Sequence, residues 1–352
     1  MQFLVGYQFL TTDDFLNEII KQKQHIREVY FSWGDMPNGR HAAAAHATLP
    51  AWEVKARMQH DLTTISDAGI ECNLLLNGNC YGGRALSRDF LTHVCEDVDE
   101  VGEKFRLTSV TTTSPVLAHL IKTNFPQLEV RASVNMEIDT VAGMEYIEND
   151  FDGFYLGREL NRDIAQMKVM SDWCHEHGKK AYLLANSGCL NHCSARQFHD
   201  NLVSHEREIM AMDNGVNFHG ICRDYLTNAE NKDVYLRRLN FIRPEDMYLY
   251  KGLVSAAKLA TRVNPNPTQI LRAYIAGQYA GNLLNLLEPD HAEGLYPYVL
   301  ENRKLPADFG KQISACGHIC DKGGACNYCE RAVNEALVRL PDYAIADSSD
   351  HH

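Results

Sequence analysis

The densest chemistry in the chain lies near its carboxyl end, where CGHICDKGGACNYC places Cys316, Cys320, Cys326 and Cys329 at C-x3-C-x5-C-x2-C spacing. Gly317, Gly323 and Gly324 let the backbone turn tightly enough for four sulfurs to converge. A tetrahedral zinc and a [4Fe–4S] cluster both require such convergence, and the spacing leaves the two open as a second metal site. The order differs from the C-x3-C-x2-C of radical SAM enzymes. Four unligated thiols are the alternative, but clustered exposed thiols have no packing value and oxidise. Because the four close on themselves locally, the site is expected to take up metal independently of the other cysteines.

A second group lies in ANSGCLNHCS, where Cys189 and Cys193 are three residues apart, with Cys222 downstream in GICRD. A cluster there needs a fourth ligand. Cys80, in LLLNGNCYGG, is the candidate, and His192, His199 and His205 are rivals. Buried inert thiols are the plain alternative. Cys72, Cys95 and Cys174 fall within predicted strand or helix bodies, where a free cysteine behaves as a small hydrophobe. Four charges complete the set of candidates: Arg158 and Glu159 in YLGREL, and Lys258 and Arg262 in AKLATR. Each could be a structural ion pair, but their common placement suits a small anionic substrate such as a carboxylate.

Those placements depend on the elements that carry them. Eight β-rich runs recur at Gln2–Tyr7, Glu28–Trp33, Glu71–Asn77, Arg106–Val110, Leu128–Asn135, Asp152–Gly157, Lys179–Ala185 and Leu253–Leu259. Between most of them lie helical patterns, at Thr12–Gln24, Trp52–Ala68, Arg88–Glu103, Pro115–Asn124 and Arg162–His177. Such alternation implies parallel strands with crossover helices, and eight units predict a (β/α)8 TIM-barrel-like fold; a doubly wound sheet gives the same local pattern. The loops after the carboxyl ends of barrel strands build the active site, and that is where both the Cys189 group and the four charges fall. About 65 residues separate Ala185 from the eighth strand, against a usual connection of roughly 2–6, which marks a functional insertion over 186–250. A helix over Thr268–Leu287 closes the barrel. The expected domains are a barrel over 1–300 that includes this insertion, and a Cys-rich metal-binding segment over 301–352.

Composition narrows the classes. Hydrophobic residues are 45% and charged residues 23%, which excludes a disordered chain, a collagen-like fibre and a disulfide miniprotein. No stretch approaches the roughly 18 apolar residues needed to cross a bilayer, and the start lacks a basic region followed by an apolar one, so a cytoplasmic protein is expected. The net charge of -12 argues against non-specific nucleic-acid binding. Eleven cysteines, an odd number, point to reduced thiols kept for metal or catalysis.

YLGRELNRD, then ANSGCLNHCS with His199 and His205, then FIRPEDMYLY, AKLATR and GQYAGNL resemble, in order, the U32 (collagenase-like) peptidase family from about Phe151 to Leu287. The resemblance implies a barrel-like domain and, as in several members, an oxygen-sensitive [4Fe–4S] cluster. Cys189, Cys193 and Cys222 carry over as ligands, with the fourth open. Some members act in oxygen-independent hydroxylation, with prephenate implicated as oxygen donor in RNA modification. The family's Lys-Ile-x-Gly-Arg reads LysLeuAlaThrArg here, a departure at Lys258–Arg262. No Ser-His-Asp pattern or HEXXH motif supports the peptidase name. The expected function is therefore an iron–sulfur enzyme of redox or hydroxylation type acting on a small anionic or peptide-borne substrate. A cluster-bearing scaffold or electron-transfer subunit with a protein partner is the alternative, and a metal-dependent hydrolase is a third. An open iron with three protein ligands would favour the enzyme.

Overall fold

The computed structural model describes residues 1–10, 12–39, 49–230 and 232–341. The expected strands are all present: β1 (Phe3–Gly6), β2 (Ile26–Phe31), β3 (Glu71–Leu76), β4 (Leu107–Thr112), β5 (Glu129–Ala132), β6 (Gly153–Tyr155) and β7 (Lys180–Leu184). β8 (Asn186–Leu190) and β9 (Leu239–Phe241) form a separate antiparallel pair in the insertion, and β10 (Ala256–Leu259) is the eighth barrel strand. The barrel closes in the order β1-β10-β7-β6-β5-β4-β3-β2, and every pairing is parallel.

The crossover helices are α1 (Asp14–Lys21), α2 (Ala51–Asp67), α3 (Arg88–Lys104), α4 (Pro115–Asn124), the short α5 (Val141–Glu145) and α6 (Ile164–Glu176). Their starts follow capping chemistry: Ser87, Ser114 and Asp163 accept from the backbone N–H groups of Phe90, Leu117 and Gln166. The insertion adds α7 (Arg196–Ser204), α8 (Glu206–Met210), α9 (Ile221–Thr227) and α10 (Val234–Arg237). The helix expected over 268–287 is shorter. α11 (Pro267–Ala276) ends where Gly277 takes φ 64°, a left-handed cap that turns the chain out of the helix.

Period-two alternation sends Leu4, Tyr30, Leu75, Tyr155, Tyr182, Leu184, Ala256 and Ala260 into the barrel lumen, while their strand neighbours pack outward against helices. The lumen is also polar, unlike the branched aliphatic filling usual in such barrels. Arg131, fully buried, pairs with Glu28 at 2.8 Å and with Glu129 at 2.9 Å. Ser109 Oγ donates to Glu28 at 3.0 Å, Asn73 Nδ2 donates to Ser109 at 2.7 Å, and Tyr182 Oη donates to Glu129 at 2.6 Å.

The carboxyl-terminal segment shares the barrel's core. β11 (Tyr298–Leu300) pairs with β12 (Leu337–Arg339) across the expected boundary at 300/301. Phe309 and Ile313 of α12 (Phe309–Ser314), and Ala332 and Val333 of α13 (Tyr328–Ala336), are buried in the same apolar cluster as the outward faces of the strands. Residues 342–352 of the expected segment lie outside the described residues. Among the described residues no helix is long and apolar enough to cross a membrane.

Candidate functional site

β8 follows β7 with only Ala185 between them, so it projects from the carboxyl end of the barrel. Asn186 holds it there: its Nδ2 donates to the carbonyls of Ala260 and Leu286, both at 2.8 Å, and its Oδ1 accepts from Ala260 N–H at 2.7 Å. Gly188 then lies flush against the backbone of Pro289, where a Cβ would overlap the carbonyl. Its N–H donates to the Glu288 carbonyl at 2.9 Å, and its own carbonyl lies 2.8 Å from His291 Nε2. This anchoring delivers Cys189, and the turn after β8 delivers Cys193.

Cys222 arrives on α9 and meets both. Burial pushes its thiol above the usual range, and the negative charges of Cys189 and Cys193 push it further, so the three sulfurs share one neighbourhood. Gly220, at φ 85°, brings α9 in tightly: a Cβ there would stand 3.5 Å from Cys222 Sγ and 3.6 Å from His199 Cε1. A cavity of about 300 Å³ beside Cys222 is lined by His199, His219, Asp290 and His291. Among the described residues no three His, Cys, Asp or Glu side chains stand close enough to hold one metal ion. In a cubane each thiolate binds a different iron, so its ligands stand wider apart than those of a single tetrahedral ion. The donor set of three convergent thiols in a partly buried, Arg196-flanked pocket suits a cluster in that respect.

Cys80 goes elsewhere. Its thiol is hydrogen-bonded to His205 and accepts from Gly82 N–H at 3.4 Å, and His205 Nδ1 lies 3.2 Å from Glu208 Oε2. The His205 bond lowers the Cys80 thiol below its usual range, and the same bond raises the imidazole. This Cys–His–Glu arrangement was not legible in the sequence, because Cys80 and His205 are joined only through the packing of the insertion on the loop after β3. Asn79 N–H donating to Ser204 Oγ at 2.8 Å is part of that packing. His192 does not join the thiols either; its ring meets His318 edge-on at 5.7 Å.

Of the tail cysteines, Cys316, Cys320 and Cys326 lie near enough to Cys329 to act on its thiol, without forming, among the described residues, a set that holds one metal ion. Burial, opposed by the Arg162 guanidinium and helped by the neighbouring Cys316, Cys320 and Cys326, raises the Cys329 thiol to about 11. The tail is not free of the barrel: Gly317 N–H donates to the Arg162 carbonyl at 3.1 Å, and Asn191 Nδ2 reaches Asp321 at 2.9 Å and His318 at 3.1 Å. Asn191 lies between Cys189 and Cys193, so the two cysteine groups share a wall although their sulfurs belong to separate neighbourhoods. Cys72 and Cys174 are buried with thiols pushed up to about 12, as expected of inert cysteines.

Of the four charges, Glu159 departs from the expected role. Its carboxylate accepts from His192 N–H at 3.1 Å and pairs with Arg196 at 3.0 Å, while Arg196 also pairs with Glu137 at 2.6 Å. Burial would raise Glu159, but Arg196 and the His192 N–H outweigh it and hold the group ionised. It is a tether for the Cys189–Cys193 loop. Arg158 is buried, donates to Asn135 Oδ1 at 2.7 Å, and has an Nε with no hydrogen-bond partner. Lys258 faces the lumen, with Nζ 3.9 Å from the Tyr30 ring centroid and 5.0 Å from that of Tyr155. Arg262, just beyond β10, stacks on the same Tyr30 ring and donates to Asn38 at 3.4 Å. The lumen residues beneath them, Glu28, Asn73, Ser109 and Arg131, escaped the sequence reading. Their signal was polar residues at alternate positions of strands buried on both faces.

No protein-family model matches the chain. It is 28% identical over 285 residues, 76% of this chain and 77% of the relative, to an uncharacterized protease of Methanocaldococcus jannaschii. The solved structure of a U32 peptidase superposes with a TM-score of 0.52 at 14% identity, covering 73% of this chain and 91% of the other, which shows a shared fold.

Proposed function

We propose that this chain is a U32-peptidase-like iron–sulfur enzyme. In this reading Cys189, Cys193 and Cys222 hold a [4Fe–4S] cluster at the carboxyl end of the barrel, and one iron is left without a protein thiolate. The carrying observation is that thiols from two separate segments lie near enough for Cys189 and Cys193 to act on Cys222, which lines a cavity at the face where barrel enzymes keep their sites. Such a cluster supplies one-electron chemistry and, at an open iron, a place for substrate; burial and hydrogen bonds tune its potential. The chain's own part is to fix the thiols through Asn186, Gly188 and the Glu159–Arg196 tether, and to receive an anion at Arg158 and Arg262. Redox chemistry or oxygen-independent hydroxylation of a small carboxylate follows as the reaction class. The tail cysteines would hold the second metal, zinc or [4Fe–4S], with Arg162 offsetting thiolate charge.

Protein purified without oxygen should contain iron and acid-labile sulfide, and Cys193→Ser should lose most of that belonging to the barrel site while retaining the tail metal. An iron- and sulfide-free wild-type protein, after anaerobic reconstitution, rules the cluster out.

A second reading is favoured by one observation, the Cys80–His205–Glu208 arrangement, and agrees with the word protease in the name of the M. jannaschii relative. A thiolate–imidazolium pair is the usual way to activate a cysteine nucleophile, and here it stands near the barrel mouth on a partly exposed loop. At neutral pH, iodoacetamide should alkylate Cys80 faster than Cys95, whose thiol is raised by burial and by Asp99 and Glu96. His205→Ala should slow Cys80 and leave Cys95 unchanged. Equal rates at the two thiols in the wild type would remove the hydrolase reading.

A further inference from the structure

Lys258 is an unusual side chain for the centre of a barrel. Ala256 and Ala260 point into the lumen on either side of it, so strand alternation aims it inward as well. It is buried, its Nζ rests on the faces of Tyr30 and Tyr155, and among the described residues no carboxylate stands within ion-pair distance of it. The nearest acidic groups that act on it, Glu28 and Glu288, do so from longer range, against Arg262 and Arg131. Burial, then Arg262, bring its ammonium down to about 7, so near neutrality much of the population carries a free lone pair. Two further features surround it. Gly6 is pressed so closely by the Arg262 stem and the Tyr30 ring, at 2.6 and 2.8 Å from where a Cβ would stand, that only glycine lets the arginine fold over the same ring. The Tyr155 hydroxyl is buried and outside hydrogen-bond geometry with any neighbour, although Arg131 is close.

We propose that Lys258 is a covalent attachment point for a 2-oxo carboxylate, its amine condensing with the ketone while Arg262, folded over the same Tyr30 ring, holds the carboxylate. This deepens the small-carboxylate part of the proposed function and rests on it. The Nζ lone pair attacks the carbonyl carbon, and the carbonyl oxygen takes up a proton from the Tyr155 hydroxyl, whose ring lies 5.0 Å from Nζ and which regains a proton from the new ammonium nitrogen. The resulting carbinolamine loses its hydroxyl as one water, taking the second proton from Nζ, to leave a C=N bond; no oxidant or reductant is consumed. An amine condenses with an electrophilic carbonyl and a neighbouring guanidinium binds a carboxylate, and a 2-oxo acid places the two groups on adjacent carbons.

The full-length protein is incubated with pyruvate and sodium cyanoborohydride, which adds hydride to an imine, and then analysed by intact mass and peptide mapping. The expected result is one adduct per chain, on Lys258, absent in Lys258→Met. Acetone, a ketone without the carboxylate, should label Lys258 at least about 10-fold less, the worth of one charged hydrogen bond to arginine. Iron and sulfide are counted on the same preparation. Cluster present and Lys258 unlabelled by pyruvate sinks this inference alone; Lys258 labelled in iron-free protein keeps it and sinks the cluster. Adducts scattered over surface lysines with Lys258 unmodified in the wild-type peptide map overturn the proposal even if Lys258→Met does not fold.

Discussion

Replacing Arg131 with methionine should destabilise the protein by about 3–5 kcal/mol, the cost of breaking a buried ion pair from one side. The guanidinium is fully buried and holds two carboxylates, Glu28 and Glu129, themselves inside the barrel. Methionine fills a similar volume, so the loss measures uncompensated charge rather than a cavity. Glu28→Gln added to Arg131→Met should restore part of the stability, because it removes the carboxylate left without an ion pair, whereas Glu129 keeps Lys180 at 2.8 Å. The acid limb carries the same signature. Burial raises the Glu129 carboxyl, but Arg131, Lys180 and Tyr182 outweigh it and bring the group from 4.5 to about 2. Its folded value is therefore depressed, so it contributes stability above pH 4.5 that is lost as the pH falls towards 2, on the order of 3 kcal/mol in full. Urea titrations between pH 2 and 7 should show that decline in the wild type and a flatter profile in Arg131→Met. Equal stability of the two proteins at pH 7 would show that the network is solvated and not a buried pair.

The same strands show why the fold is only unevenly legible in the sequence. Runs such as LVG in β1, VYF in β2 and LLL in β3 are apolar on both faces, because one face meets helices and the other the lumen, and that near-continuity reveals a parallel strand without any tertiary knowledge. The polar lumen residues carried the opposite signal. Glu28, Asn73, Ser109 and Arg131 look like solvent-facing positions of a half-exposed strand until closure of the barrel puts them inside. The cysteines divide in the same way. Cys189 and Cys193 were legible because they sit directly after a strand end, where topology alone fixes their side of the barrel. Cys80 follows a strand end too, yet its partner is His205, 125 positions away, which reaches it only through the docking of the insertion. The tail was expected to act alone because its cysteines are close in sequence. Its attachment depends on Phe309, Ile313, Ala332 and Val333, apolar residues whose spacing is too short to announce a helix of the main core.

Gly188 links the folding of the insertion to the proposed site, and Gly188→Ala should therefore prevent the proposed barrel cluster from assembling although every sulfur is retained. The residue precedes Cys189, and its Cα faces the Pro289 backbone with no room for a methyl group. Pro289 cannot yield easily, since Glu288 on one side accepts from Gly188 N–H at 2.9 Å and His291 on the other lies 2.8 Å from the Gly188 carbonyl. Overpacking of this kind costs about 1–3 kcal/mol, and the softer partner is the one that moves. That partner is the β8 end, which is tied to the barrel through Asn186 but pairs with β9 only at Asn186–Phe241 and Leu190–Leu239. Cys189 should shift away from Cys193 and Cys222, so iron and sulfide per chain should fall to the level of Cys193→Ser while metal at the proposed tail site stays. A small loss of melting temperature together with a large loss of iron is the expected pair of results. Full iron content at reduced stability would place the metal elsewhere in the chain, and full iron content at unchanged stability would show that β8 does not rest on Pro289 in solution.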